Sequence, residues 1–337
     1  MSEIRYDRLF DKHTIIAPTR LRRPEPAVMC DDALSTQTCA FCEGNEHMSP
    51  HEIYAYSLSH RAPNTTGWKT RVVPNLFKAL RIEQNAQHHY GLFEYWEGFG
   101  AHEVIVDTPR HCLSMCDWSL EESGYWLNTL IERYRDLRRD RRLACVLVFK
   151  NEGRSSGAFM AHNHTQLMAL PFLPRDRSEM LRRMIDYYQM HNNTLAGSLL
   201  EHEIKQGERV IEQIGDFISY CPYASGFAFE TIITTTVDSV YIDRLSDIEL
   251  LDLSKILHST LQRLRSQLGV FHFNLSICFP PLVDWDGIKS IDVDRLRIKI
   301  MPRLYPIGGF ENATGMMINP MAPEAAARLL RGEEYEE

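Results

Sequence analysis

His162, Asn163, His164, Thr165 and Gln166 form a run in which alternate residues are two imidazoles and a carboxamide. Successive side chains on a β-strand point to opposite faces, so His162, His164 and Gln166 would converge on one spot. That trio suits phosphoryl chemistry. One imidazole can attack phosphorus, its neighbour can be anchored elsewhere, and the amide can hydrogen-bond a phosphoryl oxygen without titrating near neutral pH. Taken alone, an H-x-H pair is an ordinary feature of a half-buried strand. Its surroundings argue for more: Lys150-Asn151-Glu152-Gly153 precedes it, Gly157 interrupts the approach, and Leu170-Pro171 closes it.

A second set of residues has the types and spacing of a metal site. Cys39-Ala40-Phe41-Cys42 is a C-x-x-C pair ahead of any regular element, the tight chelate found in zinc sites. A tetrahedral site needs two further soft or borderline ligands. His111, just past the strand end at Asp107-Thr108-Pro109-Arg110, is one candidate and His162 is the other. With His162 held by a metal its strand would be fixed, and His164 would be aimed by that anchor. His88, His89 and His102 read instead as loop or surface residues, and Cys112 and Cys116 as half-buried thiols.

The elements that must hold these residues come as a repeated unit. One copy runs from Arg71-Val72-Val73-Pro74-Asn75 through residues 98–107 and a helix to residues 144–149; the other runs from residues 209–213 through 225–234 and a helix to 273–278. Both helices announce themselves with capping boxes, Ser119 with Glu122 and Ser246 with Glu249. Apolar residues then recur at helical spacing, Leu127, Leu130, Ile131 and Tyr134 in one, Leu250, Leu253, Ile256 and Leu257 in the other. Val104-Ile105-Val106 and Val146-Leu147-Val148 are short and β-branched, as strands require.

Duplication is the simplest account of that repeat. It gives an α+β chain with an N-terminal domain over 1–178 and a C-terminal domain over 179–337, with a charged helical stretch from Ser178 to about Glu212 between the copies. Matching Pro171 to Pro302 sets His162, His164 and Gln166 against Val293, Arg295 and Arg297, so only the first copy can be nucleophilic. Arg295, Arg297, Lys299 and Arg303 read as the solvated face of an edge strand in preference to an anion site. The second-copy equivalents of the metal ligands, roughly Ser198, Glu201, Asp238 and Val293, include no soft ligand. One zinc is expected, and not two.

Composition narrows the class of function. A chain of 337 residues, 44% hydrophobic, can bury one large core or two ordinary ones. A net charge of −8 argues against a nucleic-acid or anionic-membrane binder, leaving room for a local basic pocket that takes a small anion. No apolar run approaches a membrane span, and Met1-Ser2-Glu3-Ile4-Arg5 lacks the apolar core of a signal peptide, so a cytoplasmic protein is expected. Eight cysteines scattered through a chain of this length suit metal or thiol roles better than disulfides.

These motifs together resemble the galactose-1-phosphate uridylyltransferase group of the histidine-triad superfamily, which includes ADP-glucose phosphorylase. The resemblance spans nearly the whole chain. It is carried by residues 18–24, by Cys39 to Cys42 with Gly44-Asn45, by Arg71 to Asn75, His102 to His111 and Phe149 to Gln166, and by Gly308-Gly309-Phe310-Glu311 with Ile318-Asn319-Pro320. It implies two histidine-triad-like domains, mostly antiparallel sheets with flanking helices, and a homodimer. It implies His164 as the nucleophile of a nucleotidyl-histidine intermediate, Gln166 holding the phosphoryl oxygen, and Cys39, Cys42, His111 and His162 on zinc. Arg20, Arg23, Asn75, Asn151, Gly157 and Ala158 would serve the nucleotide and its phosphates. Gly309, Phe310 and Glu311 would serve the sugar or acceptor, reaching the site from the second copy or a partner subunit.

The implied activity is ping-pong nucleotidyl transfer on a nucleoside diphosphate sugar, of the UDP-hexose and hexose 1-phosphate kind. The alternatives are an ADP-glucose or dinucleoside polyphosphate phosphorylase using phosphate as acceptor, or a zinc-stabilised nucleotide-binding protein with little turnover. Two positions depart from the family pattern. Phe159 stands where a serine hydroxyl commonly meets the phosphate, with Ser155 or Ser156 the nearest substitutes. Met317 stands where the uridylyltransferases place a glutamine against the hexose.

Overall fold

A computed structural model describes residues 3–7, 12–16, 39–285 and 287–334. Arg20 and Arg23 lie outside the described residues. The strands, in chain order, are β1 (Glu3–Asp7), β2 (Lys12–Ile16), β3 (Tyr54–Tyr56), β4 (Thr70–Pro74), β5 (His88–His89), β6 (Glu94–Glu97), β7 (Ala101–Val106), β8 (Cys145–Glu152) and β9 (His164–Leu170), followed by β10 (Val210–Ile214), β11 (Phe217–Tyr220), β12 (Thr231–Thr235), β13 (Phe273–Cys278) and β14 (Arg297–Pro302). The helices are α1 (Leu120–Leu137), α2 (Arg175–His191), α3 (Leu195–Gln206), α4 (Asp247–Leu268), α5 (Ser290–Val293), α6 (Gly309–Thr314) and α7 (Pro323–Arg331). The expected α+β class is observed. Both capping boxes form: Ser119 Oγ accepts the N–H of Glu122 while that carboxylate accepts the N–H of Ser119, and Ser246 and Glu249 do the same for α4.

A ten-stranded sheet runs in the order β10-β11-β12-β14-β13-β8-β9-β7-β4-β3, and its strand pairings are antiparallel. The order is mirrored about the seam between β13 and β8, where Phe273 pairs with Glu152 and Cys278 with Leu147. A four-stranded sheet, β2-β1-β6-β5, accompanies it. The charged stretch expected to be helical to about Glu212 is helical only as far as Gln206, divides into α2 and α3 at Asn192, which takes a left-handed conformation, φ 50°, and gives way to β10 at Val210. Residue 178 falls in the first turn of α2.

Alternation along the strands separates packing from chemistry. Val72, Ile105, Val146, Val148, Leu167 and Ala169 join Ile233, Leu275, Ile277, Ile298 and Ile300 in one buried cluster with the apolar stripes of α1 and α4. The core therefore extends across both halves. On β9 the same alternation turns Leu167 and Ala169 toward that cluster and leaves His164 and Gln166 on the opposite face, lining a cavity. Beneath the strand lies a buried polar joint: Lys150 Nζ meets Asp107 Oδ2 at 2.7 Å, both side chains being 0% exposed. Trp126 Nε1 donates to Asp107 Oδ1 at 3.1 Å and to Thr165 Oγ1 at 3.0 Å. This joint pins the end of β7, and with it the turn that leads to His111.

Arg295, Arg297 and Lys299 are paired with carboxylates, and β14 is an inner strand between β12 and β13, against the solvated edge strand expected. Arg295 is 5% exposed and clasps Asp238 through Nε at 2.8 Å while donating to the Thr235 carbonyl at 2.8 Å. Arg297 pairs with Asp294 at 2.7 Å, and Lys299 with Glu230 at 2.7 Å. A guanidinium as buried as that of Arg295 requires such partners, whereas Lys299 keeps 37% of its side chain exposed. Arg303 instead lies over the Phe227 ring at 4.9 Å.

Candidate active site and metal centre

Four ligand atoms, from Cys39, Cys42, His111 and His162, lie within 4.8 Å of one another. His111 Nδ1 is 3.2 Å from Cys42 Sγ, and His162 Nδ1 is 3.6 Å from both sulfurs. Thiolate and imidazole ligands on a tetrahedral zinc stand roughly 3.6 Å apart, given ~2.3 Å and ~2.05 Å bonds, so the quartet fits that ion. His162 Nε2 donates to the Thr108 carbonyl at 2.8 Å, which leaves Nδ1 with its lone pair toward the sulfurs. Burial holds His162 down to about 4, the imidazolium form being the one that loses solvation, and lowers His111 for the same reason. Both rings are thus neutral donors at neutral pH. Burial, then the neighbouring Cys39, pushes the Cys42 thiol up to about 12, and a cation is what would offset the cost of a thiolate there.

His164, two residues along from that anchor, is 9% exposed. Its Nδ1 is 3.0 Å from the carbonyl of His162, which can only accept, so the ring proton sits on Nδ1 and Nε2 carries the lone pair. Phe41, inside the C-x-x-C turn, packs edge-on against both rings, with centroids 5.5 Å from His164 and 6.1 Å from His162. The turn that carries the cysteines thereby also fixes the orientation of His164.

The cavity beside His164 holds about 330 Å³ and is lined mainly by apolar groups, among them Met48, Pro50, Leu76, Phe77, Phe159 and Met160, with Asn75 and Gln166 supplying polarity. Phe159 narrows it without closing it. Neither serine hydroxyl substitutes for the missing one. Ser155 Oγ bonds His272 Nδ1 at 2.9 Å, and Ser156 Oγ donates to Gly153 O at 2.6 Å. Asn151 lies one residue past the Lys150–Thr165 pair of the β8–β9 register and is not among the residues lining the cavity; its Oδ1 accepts from Asn274 Nδ2 at 2.7 Å. Gly157 has φ 81°, which favours glycine, while the N–H groups of Gly157 and Ala158 are used within the turn, on Arg154 O and Gly153 O.

Gly309, Phe310 and Glu311 open the short helix α6, with Glu311 Oε2 accepting the Gly308 N–H at 3.0 Å. They are not among the residues lining the His164 cavity, and Phe310 is 50% exposed. Sequence reasoning misplaced His102, which is 4% exposed on β7 and contacts Gln166. The signal available was its position two residues before Val104 on a strand whose alternate residues face the cavity. Cys112 is disulfide-bonded, against the expectation of free thiols, and its partner lies outside the described residues.

An antiparallel sheet with an imidazole in the wall of a cavity, beside a Cys/His quartet, is here the architecture of a nucleotidyltransferase. The chain belongs to the galactose-1-phosphate uridyl transferase family, whose N-terminal domain matches residues 1–174. ADP-glucose phosphorylase of Arabidopsis thaliana is 30% identical over 335 residues, spanning 98% of this chain and 92% of its own length. Galactose-1-phosphate uridylyltransferase of Thermotoga maritima is 23% identical over the full length of both chains. The crystal structure of the Arabidopsis thaliana phosphorylase with bound ADP-glucose superposes with a TM-score of 0.76 at 29% identity, covering 99% of this chain and 100% of that one. A uridylyltransferase structure superposes at 0.79 with 22% identity, covering 98% of each chain, which establishes the common fold.

Proposed function

We propose that the protein transfers a nucleoside monophosphate from a nucleoside diphosphate sugar to a phosphate acceptor through a covalent intermediate on His164. The observation that carries this reading is the Nδ1 bond to the His162 carbonyl at 3.0 Å, which leaves Nε2 as the nucleophilic nitrogen beside the cavity. That nitrogen attacks the α-phosphorus. A P–N bond forms, the bond from the α-phosphorus to the bridging oxygen breaks, and sugar 1-phosphate leaves with that oxygen. An oxygen of the acceptor phosphate then attacks the same phosphorus and returns the lone pair to Nε2. The Nδ1–H donated to the carbonyl supports the positive charge that the ring carries in the intermediate, and the Gln166 amide donates to a phosphoryl oxygen. Arg20 and Arg23 would add charge to the nucleotide pocket.

Cys39, Cys42, His111 and His162 would hold one zinc ion, whose contribution is structural: it fixes the loop and the strand end from which His164 projects. ADP-glucose with inorganic phosphate is the substrate pair favoured by the 30% identity to the Arabidopsis thaliana phosphorylase and by Met317 at the sugar-contact position. UDP-glucose with galactose 1-phosphate is the second reading, supported by the family match over residues 1–174. We further read the mirrored strand order as the trace of a duplication, with the copies dividing near residue 178, and expect a homodimer in the cytoplasm. Among the described residues no helix is long and apolar enough to cross a membrane.

The test is a panel of labelled ADP-glucose and UDP-glucose, each incubated alone and then with phosphate or galactose 1-phosphate. An acid-labile, base-stable adduct should form with one donor in the absence of acceptor and be discharged by one acceptor. No adduct with either donor would refute the covalent mechanism.

A further inference from the structure

The polarity of a glutamine amide is not set by its shape, because its oxygen and nitrogen ends are nearly isosteric. For Gln166 to donate to a phosphoryl oxygen, its NH₂ must face the cavity and its Oε1 must be held on the other side. The β7–β9 and β4–β7 registers bring His102, which does not line the cavity, and Asn75, which stands at its edge, up beside Gln166. Gln166 pairs with Val104 and Met168 with His102 on the one hand, and Pro74 pairs with Glu103 on the other.

Two backbone N–H groups, which cannot be reversed, set the direction of this cluster. Ala79 N–H points at His102 Nδ1 at 3.0 Å, so Nδ1 must be the acceptor and the ring proton must sit on Nε2. Phe77 N–H points at Asn75 Oδ1 at 2.9 Å, so the Asn75 amide presents its NH₂ on its other side. Both resulting donors converge on one atom: His102 Nε2 is 3.1 Å and Asn75 Nδ2 is 3.5 Å from Gln166 Oε1. His102 Nε2 and Asn75 Nδ2 also stand 3.1 Å apart, a separation explained by their sharing one acceptor.

We propose that His102, supported by Asn75, is a positioning residue that locks the Gln166 carboxamide with its oxygen away from the cavity and its N–H donors toward the transferred phosphoryl group. A reversed amide would set Oε1 against a phosphoryl oxygen and its NH₂ against the two donors, which is repulsive at both ends. The lock thus transmits the fixed polarity of the 75–79 backbone to the site. It rests on the proposed role of Gln166, and two measurements separate its fate from that of the mechanism.

The first is independent of turnover. Nitrogen-15 chemical shifts of His102 in the wild-type protein at neutral pH should report a neutral ring protonated at Nε2. A proton on Nδ1, or a doubly protonated ring, overturns the lock whether or not an adduct forms. The second is a double-mutant cycle on the rate of adduct formation. Q166A should slow it by about a hundredfold, and H102F by about tenfold with KM for the donor nearly unchanged. In the Q166A background H102F should add less than about a twofold effect, since nothing remains to orient. H102Q, whose side-chain N–H can reach the same oxygen, should recover much of the loss. Equal slowing by H102F in both backgrounds would mean that His102 acts only through packing and would overturn the lock. Absence of adduct in the wild type would sink the covalent mechanism and leave the tautomer to judge the lock.

Discussion

The N-terminal and C-terminal halves of the sheet face the same task, tying a distant loop and a helix start to the strand end on which a side chain is to be aimed, and they do it with different chemistry. In the first half Cys39, Cys42, His111 and His162 gather into a metal-type quartet within 4.8 Å. In the second, Thr194 at the start of α3 bonds Asp238 at 3.1 Å, and Asp238 clasps Arg295 at 2.8 Å. The joint is tight: a Cβ added at Gly197 would come within 2.5 Å of Thr194 Oγ1 and 2.8 Å of an Arg295 nitrogen. The comparison teaches that fastening and reactivity are separable. An ion pair suffices to fasten, whereas the residue that the alignment sets against His164 is Arg295 itself, which has no lone pair to offer.

The contrast can be broken most directly at the aligned pair. His164→Ala should abolish the labelled adduct and slow turnover by about a thousandfold or more, while Arg295→Met should leave adduct formation intact; comparable loss in both variants would erase the asymmetry. Metal content comes next. Elemental analysis should find one zinc per chain, and removing it with a chelator should cost about 5 kcal/mol or more of stability, read from denaturant melts with and without metal. Two ions per chain would contradict a fastening made in the second half by an ion pair.

Acid provides a smaller effect with a definite sign. His162 has its folded value lowered to about 4 from an ordinary 6.5, so between those values the unfolded chain binds a proton that the folded one refuses. The contribution is complete above about pH 6.5 and is lost as the pH falls through about 4, about 3 kcal/mol at most for the metal-free protein. Melts of the apo-protein across this window that showed no loss would contradict a buried neutral ring. Smallest should be Arg295→Met on stability. Asp238 is 41% exposed and can rehydrate, so the loss should be about 2 kcal/mol, below the range for a fully buried pair. A larger loss than metal removal causes would reverse the ranking of the two fastenings.

Local signals made much of this molecule legible in its sequence. Ser119 with Glu122 and Ser246 with Glu249 mark helix starts because both partners lie within one turn. The quartet was legible because thiol and imidazole pairs have few other uses in such spacing. Long-range partners were not legible. Arg295 looked solvated because Asp238 is 57 positions away, and His102 looked peripheral because its meaning comes from a register with Gln166 and from the Ala79 N–H. The apolar wall of the cavity, Met48, Pro50 and Phe77, has no sequence signature at all, since such residues are equally at home in a core.

The seam at β8 and β13 carries a practical corollary for anyone wishing to isolate the reactive portion. Cutting the chain near residue 178 would strip β8 of its neighbour from Leu147 to Glu152 and uncover Val148, whose partner there is Ile277. A bare ladder of amides and carbonyls beside an apolar flank invites recruitment of another chain, so the fragment should clump rather than stand alone. On this view β13 and the strands beyond it serve as the cover of that edge.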